Sequence, residues 1–439
     1  MKKLILLDLD GTLTNTADEY FKPMKDGLIE TDVSKIPVFN GAVEFVSTLQ
    51  REYIVVLVSD SHPRYVNKIA TEIFGFNNQN YKSVLSLADK PNQNKTISFL
   101  SELNNVLGNE CPNINNRDQK LAVFVIGDTW LDIELGRSLN CFTILTKFYT
   151  ATRRETRDAI GNDWKHLKSG PTFVVSTYER IKEILSDPIG NLLASEGIFY
   201  NRNTNRARKF RTDINNGVYT LYRSLSRQNA GECDPFAVAN YYFEFQRPDR
   251  TEKTLKLLAK SLENYLAHVI SQSEDFSWDY LTYVSDKKTT IPQNKMSQLI
   301  DLCGSDIPKV KLFGWDESTS GSIRHQKKFE DRKSFVVKNL TISENFSLLG
   351  KNIVVVDDQF TTGATADAVT SKLRSKGANH VLFLTLFYLI TNVESESLCP
   401  KCQKKMAVKI RRSDGNKFLS CTPQKYGGDG CGHAQNLMQ

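Results

Sequence analysis

Asp8 and Asp10 are separated by one residue, directly after the apolar run LILL and before Gly11-Thr12. Glycine at that position permits a sharp turn out of a strand. Two carboxylates so placed can divide a phosphoryl transfer between them: one attacks phosphorus, the other handles the leaving-group proton. Ser59, after YIVVLV, offers a hydroxyl to a phosphoryl oxygen. Lys90 offers a cation that can neutralise charge in the transition state, with Lys95 as its rival. Asp128, after Gly127, and Asp132 add carboxylates, and a hard cation such as Mg²⁺ prefers oxygen ligands.

A second constellation runs from Ile353 to Thr365. Four apolar residues end in Asp357 and Asp358, and the loop Thr361-Thr362-Gly363-Ala364-Thr365 then leads toward a helix. Backbone N–H groups in a small-residue loop, with threonine hydroxyls and a helix N-terminus, make an anion cradle. Two carboxylates beside it can accept hydrogen bonds from a vicinal diol, so a phosphorylated sugar suits both halves. A third constellation is Cys399-x2-Cys402 and Cys421-x9-Cys431, with 18 residues between the pairs. Four thiolates in two loops suit tetrahedral Zn²⁺. Cys431 is favoured as the fourth ligand, with His433 as the other choice.

The elements that must carry these groups follow from hydrophobic patterning. LILLDLD, YIVVLVSD, LAVFVIGD and FTILTKF read as buried parallel strands, and 41–52 and 62–75 as helices between them. Such alternation is a doubly wound α/β sheet, in which ligands bind at the carboxyl ends of the strands. Residues 1–187 form this first domain, with a boundary at Pro188-Ile189-Gly190. Residues 188–250 read as a basic linker leading into a second domain. Their run NRNTNRARKFR reads as a solvated loop or helix face, or as a phosphate-contacting patch. An α/β rhythm returns over 251–395: a helix across 254–271, then LTYVSD, NIVVVDD and HVLFLTLFYL. Residues 396–439 form a small Cys-bearing tail, and a unit of that size generally needs a metal to hold a fold.

The first set of residues resembles the haloacid dehalogenase superfamily of phosphatases, through DLDGT and GDTWLD, and through Lys90-Pro91 as a KPxP-type third motif. The resemblance implies that Asp8 forms an aspartyl-phosphate, that Asp10 is general acid and base, and that Asp8, the Asp10 carbonyl and Asp128 hold Mg²⁺. Only 51 positions separate Asp8 from Ser59, so 13–40 has room for a loop or one helix pair and not for a large cap. Capless relatives often take bulky substrates, including nucleic-acid ends and protein phosphates.

The second set resembles the 13-residue signature of type I phosphoribosyltransferases. That implies that Asp357 and Asp358 hold the ribose hydroxyls, and that Thr361, Thr362, Gly363, Ala364 and Thr365 bind the 5-phosphate of phosphoribosyl pyrophosphate (PRPP). Ser285, Asp286, Lys287 and Lys288 are placed like the family's pyrophosphate loop, and His325 to Arg332 resembles the HQ-containing segment of the ComF-like branch. Both transfer and binding without transfer are open to such a domain. The tail resembles the zinc ribbons of bacterial type IA topoisomerases. It carries eight Lys and Arg against three Asp and Glu from 396 onward, with Phe418 among them. Cations beside an aromatic suit a nucleic-acid backbone and a stacked base; zinc ribbons also dock proteins.

Composition sets the outer limits. With 40% hydrophobic and 24% charged residues, the chain is neither disordered nor fibrous. No run of 18 apolar residues occurs, and the N-terminal apolar run stops at Asp8, too early for a signal peptide. A net charge of +7 is modest for 439 residues and does not by itself call for nucleic acid. Half of the eight cysteines cluster in the tail, which fits a cytoplasmic protein with a local metal site. The expectation is therefore two doubly wound parallel-sheet domains and a zinc ribbon. They would form a bifunctional phosphate enzyme of nucleotide or nucleoside-like metabolism, acting on a phosphorylated small molecule and PRPP. The alternative is a nucleic-acid-associated stress or phage-defence protein with a nucleotide-sensing domain and an end phosphatase.

Overall fold

The computed structural model describes residues 1–77, 81–114, 116, 119–148, 163–198, 200–213, 216–225, 245, 252–273, 275–285, 295–316, 329–390, 394–410, 417–421 and 430–436. The chain divides into two compact units. One is built on Met1–Ser186 and takes in the chain from Ile390 onward; the other is built on Asp187–Ser226 and Val238–Leu389.

The first unit holds a six-stranded sheet of β1 (Leu4–Leu7), β2 (Ile54–Val58), β3 (Val84–Leu85), β4 (Val123–Gly127), β5 (Phe142–Thr146) and β6 (Phe173–Val175). Its order is β3-β2-β1-β4-β5-β6, and every pair is parallel. Residues of β1, β2 and β4 are buried without alternation, the mark of a sheet covered on both faces. Leu4, Leu6, Val56, Val58 and Val125 share one core cluster with Phe99 and Leu103 of the helix Asn94–Leu107. The intervening residues, such as Ile5, Val55 and Phe124, are buried on the opposite face. The expected helices form at Ala42–Glu52 and Pro63–Glu72. His62 caps the second, its Nδ1 accepting from Arg64 N at 3.3 Å. Between β1 and β2 there is no cap domain: 13–40 forms two 3₁₀ turns and the single-turn helix Lys22–Lys25.

The second unit pairs β7 (Arg208–Asp213), β8 (Asn216–Leu225), β9 (Tyr280–Tyr283), β12 (Asn352–Phe360) and β13 (His380–Ile390) in the order β7-β8-β13-β12-β9. A separate antiparallel ribbon joins β10 (Phe313–Trp315) to β11 (Leu340–Ile342). Strands β9, β12 and β13 are parallel, whereas β7 and β8 form an antiparallel hairpin at the sheet edge. The basic run begins as a largely exposed loop over 201–207, as expected, but its last residues do not remain in it. They enter β7, where Arg208 is only 6% exposed, with its guanidinium 5.9 Å from the Tyr388 ring. Cross-strand packing overrides the local charge of the sequence here.

The tail is a four-stranded antiparallel meander: β14 (Glu394–Leu398), β15 (Lys405–Ile410), β16 (Lys417–Ser420) and β17 (Ala434–Asn436). Its described core consists of Cys399, Met406, Leu419 and Cys421, with the partly buried Cys402 packed against it. Among the described residues no helix is long and apolar enough to cross a membrane.

Candidate functional site

Asp8, Ser59 and Asp128 leave the ends of β1, β2 and β4, the three central strands of the first sheet, and line one pocket with Asp10, Asp60, Lys90, Thr129 and Asp132. Lys90 Nζ donates to Asp8 Oδ1 and to Asp132 Oδ1, each at 2.6 Å, and the three side chains are at most 7% exposed. Lys95, the rival cation, donates instead to the Leu87 carbonyl. The Lys90 N–H donates to Asp60 Oδ1 at 2.8 Å, which sets the course of the segment carrying the ammonium. Burial would by itself lower the Lys90 ammonium, but Asp132, Asp8 and Asp60 hold it well above its ordinary value.

Asp10 sits in a cage of donors. Thr16 Oγ1 and Tyr65 OH donate to Oδ1 at 2.7 Å, and Ser61 Oγ donates to Oδ2 at 2.9 Å. Lys25 is buried and donates to the Thr16 carbonyl. Burial would raise the Asp10 carboxyl, yet Lys25 and these hydrogen bonds together hold it below the usual carboxylate range. Asp8 differs: burial lifts its carboxyl to about 8, Lys90 opposes this, and Asp132 and Asp10 add to it. No motif in the sequence points to Thr16, Lys25, Ser61 or Tyr65 as partners of Asp10. Ser61 is two residues beyond Ser59 and was the nearest to legible; the other three reach Asp10 through the path of 13–40 and the packing of the helix Pro63–Glu72.

Carboxylate oxygens of Asp8, Asp128 and Asp132 lie within 4.8 Å of one another, close enough to share one cation. Gly11 adopts φ +86°, and a Cβ there would stand 2.1 Å from Asp128 Oδ2, so the turn is shaped around that carboxylate. An all-oxygen set of this kind fits Mg²⁺. Asp132 was expected only as an added carboxylate. It also accepts from Thr129 N at 3.1 Å and Thr129 Oγ1 at 2.9 Å, so it fixes the start of the helix Trp130–Ser138 as well as Lys90.

In the second unit β12 does not end at the two acids. It continues through Gln359 and Phe360, because β13 is long enough to pair with both. Asp357 is buried, and its Oδ1 accepts from Asp358 N at 2.9 Å. Asp358 Oδ2 accepts from Lys295 Nζ at 2.8 Å. Gly363, at φ +86°, is the N-cap of the helix Ala364–Ser375, so Thr361, Thr362 and Gly363 lead into a helix N-terminus with Ala364 and Thr365 in its first turn. Thr361 Oγ1 accepts from Arg332 Nη1 at 2.8 Å. Thr362 Oγ1 is buried with no hydrogen-bond partner among the described residues. An anion at the loop would supply one. The Ser285 hydroxyl is engaged by the Phe313 carbonyl at 2.7 Å, so it anchors β10. Asp286, Lys287, Lys288 and His325 lie outside the described residues.

In the tail, the sulfurs of Cys399, Cys402, Cys421 and Cys431 all lie within 4.8 Å of one another. Cys399 and Cys431 are 3.6 Å apart and Cys402 and Cys421 3.3 Å. A tetrahedral zinc with Zn–S bonds of about 2.3 Å separates its sulfurs by roughly 3.8 Å, so the cluster needs little adjustment. Cys431, and not His433, completes it.

No family model matches the chain. A stretch of 81 residues is 35% identical to transcriptional regulator GfcR 2 of Methanosarcina barkeri, covering 18% of this chain and 39% of that protein. Among solved structures, a HAD family hydrolase from Deinococcus radiodurans with bound phosphate and sodium aligns over 42% of this chain and 96% of its own, at 12% identity and a TM-score of 0.30. A hypoxanthine phosphoribosyltransferase from Staphylococcus aureus aligns over 33% of this chain and 72% of its own, at 16% identity and a TM-score of 0.21.

Proposed function

We propose that this chain is a Mg²⁺-dependent phosphohydrolase joined to a domain that binds PRPP or a related ribose phosphate. The observation that carries the first part is the buried Asp8–Lys90–Asp132 array, with Asp128 and the caged Asp10 at the same pocket. Asp8 attacks phosphorus and becomes an aspartyl-phosphate. Lys90 orients Asp8 and offsets the charge that gathers on the phosphoryl oxygens. Asp10, held ionised by Lys25 and its donors, takes a proton from the water that opens the acyl phosphate, and it can give one to a leaving group only once it has been protonated. Ser59 binds a phosphoryl oxygen. Asp8, Asp128 and the Asp10 carbonyl would hold Mg²⁺, which when bound supplies positive charge beside the same oxygens.

The second unit contributes Asp357 and Asp358 for a ribose diol and 361–365 for its phosphate. In sequence, transfer would make or break an N-glycosidic bond on ribose 5-phosphate, and the phosphatase would remove the phosphate and draw the reaction forward. The tail cysteines would hold Zn²⁺.

A second reading is favoured by the likeness to a protein named as a transcriptional regulator and by the basic residues of the tail. In it the ribose-phosphate site senses a nucleotide, the tail docks on nucleic acid, and the first unit trims a terminal phosphate. A metabolite screen with PRPP, using wild type and Asp8→Asn, tests both. Base-dependent pyrophosphate release supports the metabolic reading, and ligand binding without release supports the sensing one. Phosphate release that persists in Asp8→Asn would remove the phosphatase reading.

A further inference from the structure

Lys295 is the first residue of the helix Lys295–Leu302 and meets Asp358 across 63 positions of sequence. Its side chain is 5% exposed, whereas that of Asp358 is 24% exposed. The cation is thus the enclosed partner, and the carboxylate is the group that reaches a ligand. The ammonium also lies 5.3 Å from the Phe245 ring centroid, so its approach to Asp358 is bounded by packing as well as charge. Burying an ammonium is costly, and an apolar pair of similar volume would generally serve stability as well. The arrangement makes sense if it controls the acid. Asp357 and Asp358 are adjacent carboxylates next to a loop shaped for an anion, and a phosphorylated ligand meets their combined repulsion. An ammonium on Asp358 reduces that repulsion and fixes one rotamer of the carboxylate.

We propose that Lys295 is a positioning residue that presents the Asp358 carboxylate to a ribose diol, and so sets this site's preference for ribose phosphates over deoxyribose phosphates. The proposal rests on the reading of Asp357 and Asp358 as diol acceptors. Calorimetry with ribose 5-phosphate and 2-deoxyribose 5-phosphate on the full-length protein separates the two ideas. Wild type should prefer the ribose compound by at least about tenfold, since a hydrogen bond to a charged group is lost with the 2′ hydroxyl. Lys295→Met should bring the preference to within about twofold and should weaken both sugar phosphates, because the repulsion that the ammonium offset then acts on either phosphate. Lys295→Arg should restore part of it. Asp358→Asn should lose the preference too, and adding Lys295→Met to it should change nothing further. Full preference in Lys295→Met would overturn the role of Lys295 and leave the diol reading standing. Wild type that binds neither sugar phosphate, or both alike, would overturn the diol reading and this proposal with it.

Discussion

Asp8 and Asp10 are two residues apart and bear opposite electrostatic environments: burial drives one carboxyl up, and a cage of donors holds the other down. If Asp8 is the proposed nucleophile, Asp8→Asn should cut release of phosphate from an aryl phosphate by at least about 10³-fold in a steady-state assay. The shift also has a sign that can be measured. Without metal, the folded state binds a proton at Asp8 up to about pH 8, whereas the unfolded chain releases it near 3.8. The stabilising contribution of that proton is full below the unfolded value and is lost as pH rises through the folded one. A cation at Asp8 must displace the proton, so saturating Mg²⁺ should raise the melting temperature more at about pH 8.5 than at about pH 6. Equal increments at the two pH values would mean that the cation does not bind at Asp8 or that burial does not keep this carboxyl protonated beside Lys90.

At the scale of elements, the turn after β1 is built around one glycine. Gly11→Ala places a Cβ against Asp128 and holds an alanine in the left-handed region. We expect about 1–2 kcal/mol of lost stability in denaturant unfolding, and at least about tenfold weaker Mg²⁺ activation of the proposed phosphatase, because Asp128 is a proposed cation ligand. A variant with wild-type Mg²⁺ dependence would show that the turn and the cation site are uncoupled. The helix Trp130–Ser138 acts in the same way through Asp132, which ties the helix start to Lys90. The geometry of this pocket therefore depends on strand ends and a helix start together, not on the DxD motif alone.

At the scale of the molecule, three sites draw on different ligand chemistry. The tail should carry about one zinc per chain by metal analysis, as a closed four-thiolate site takes one ion. Cys399→Ser with Cys402→Ser should release it and unfold the tail, whose described core is otherwise Met406 and Leu419. The proposed phosphatase activity on a small substrate should survive, since the side chains that could hold a cation there are carboxylates and not thiolates. If the tail docks nucleic acid, activity on a nucleic-acid substrate should fall, and the fall should shrink at high salt. Equal losses on small and large substrates would show instead that the tail supports the fold as a whole.

What the sequence determined by itself was local in origin. Buried parallel strands announce themselves as short apolar runs, and residues just past their ends gather at one sheet edge whatever the loops do; Asp8, Ser59 and Asp128 were legible for that reason. Cysteine spacing likewise confined four sulfurs to one small unit. Tertiary structure alone decided which side chains from separate elements meet. Tyr65 and Lys25 bear no fixed spacing to Asp10, nor Lys295 to Asp358, and no periodicity links them. The end of a basic run became an edge strand because β8 offered it a partner, and β12 outran its acids because β13 did. Periodicity specifies which face of an element is buried, whereas sheet order and helix packing specify what that face is buried against, and it is the second that sets the charge and orientation of a site.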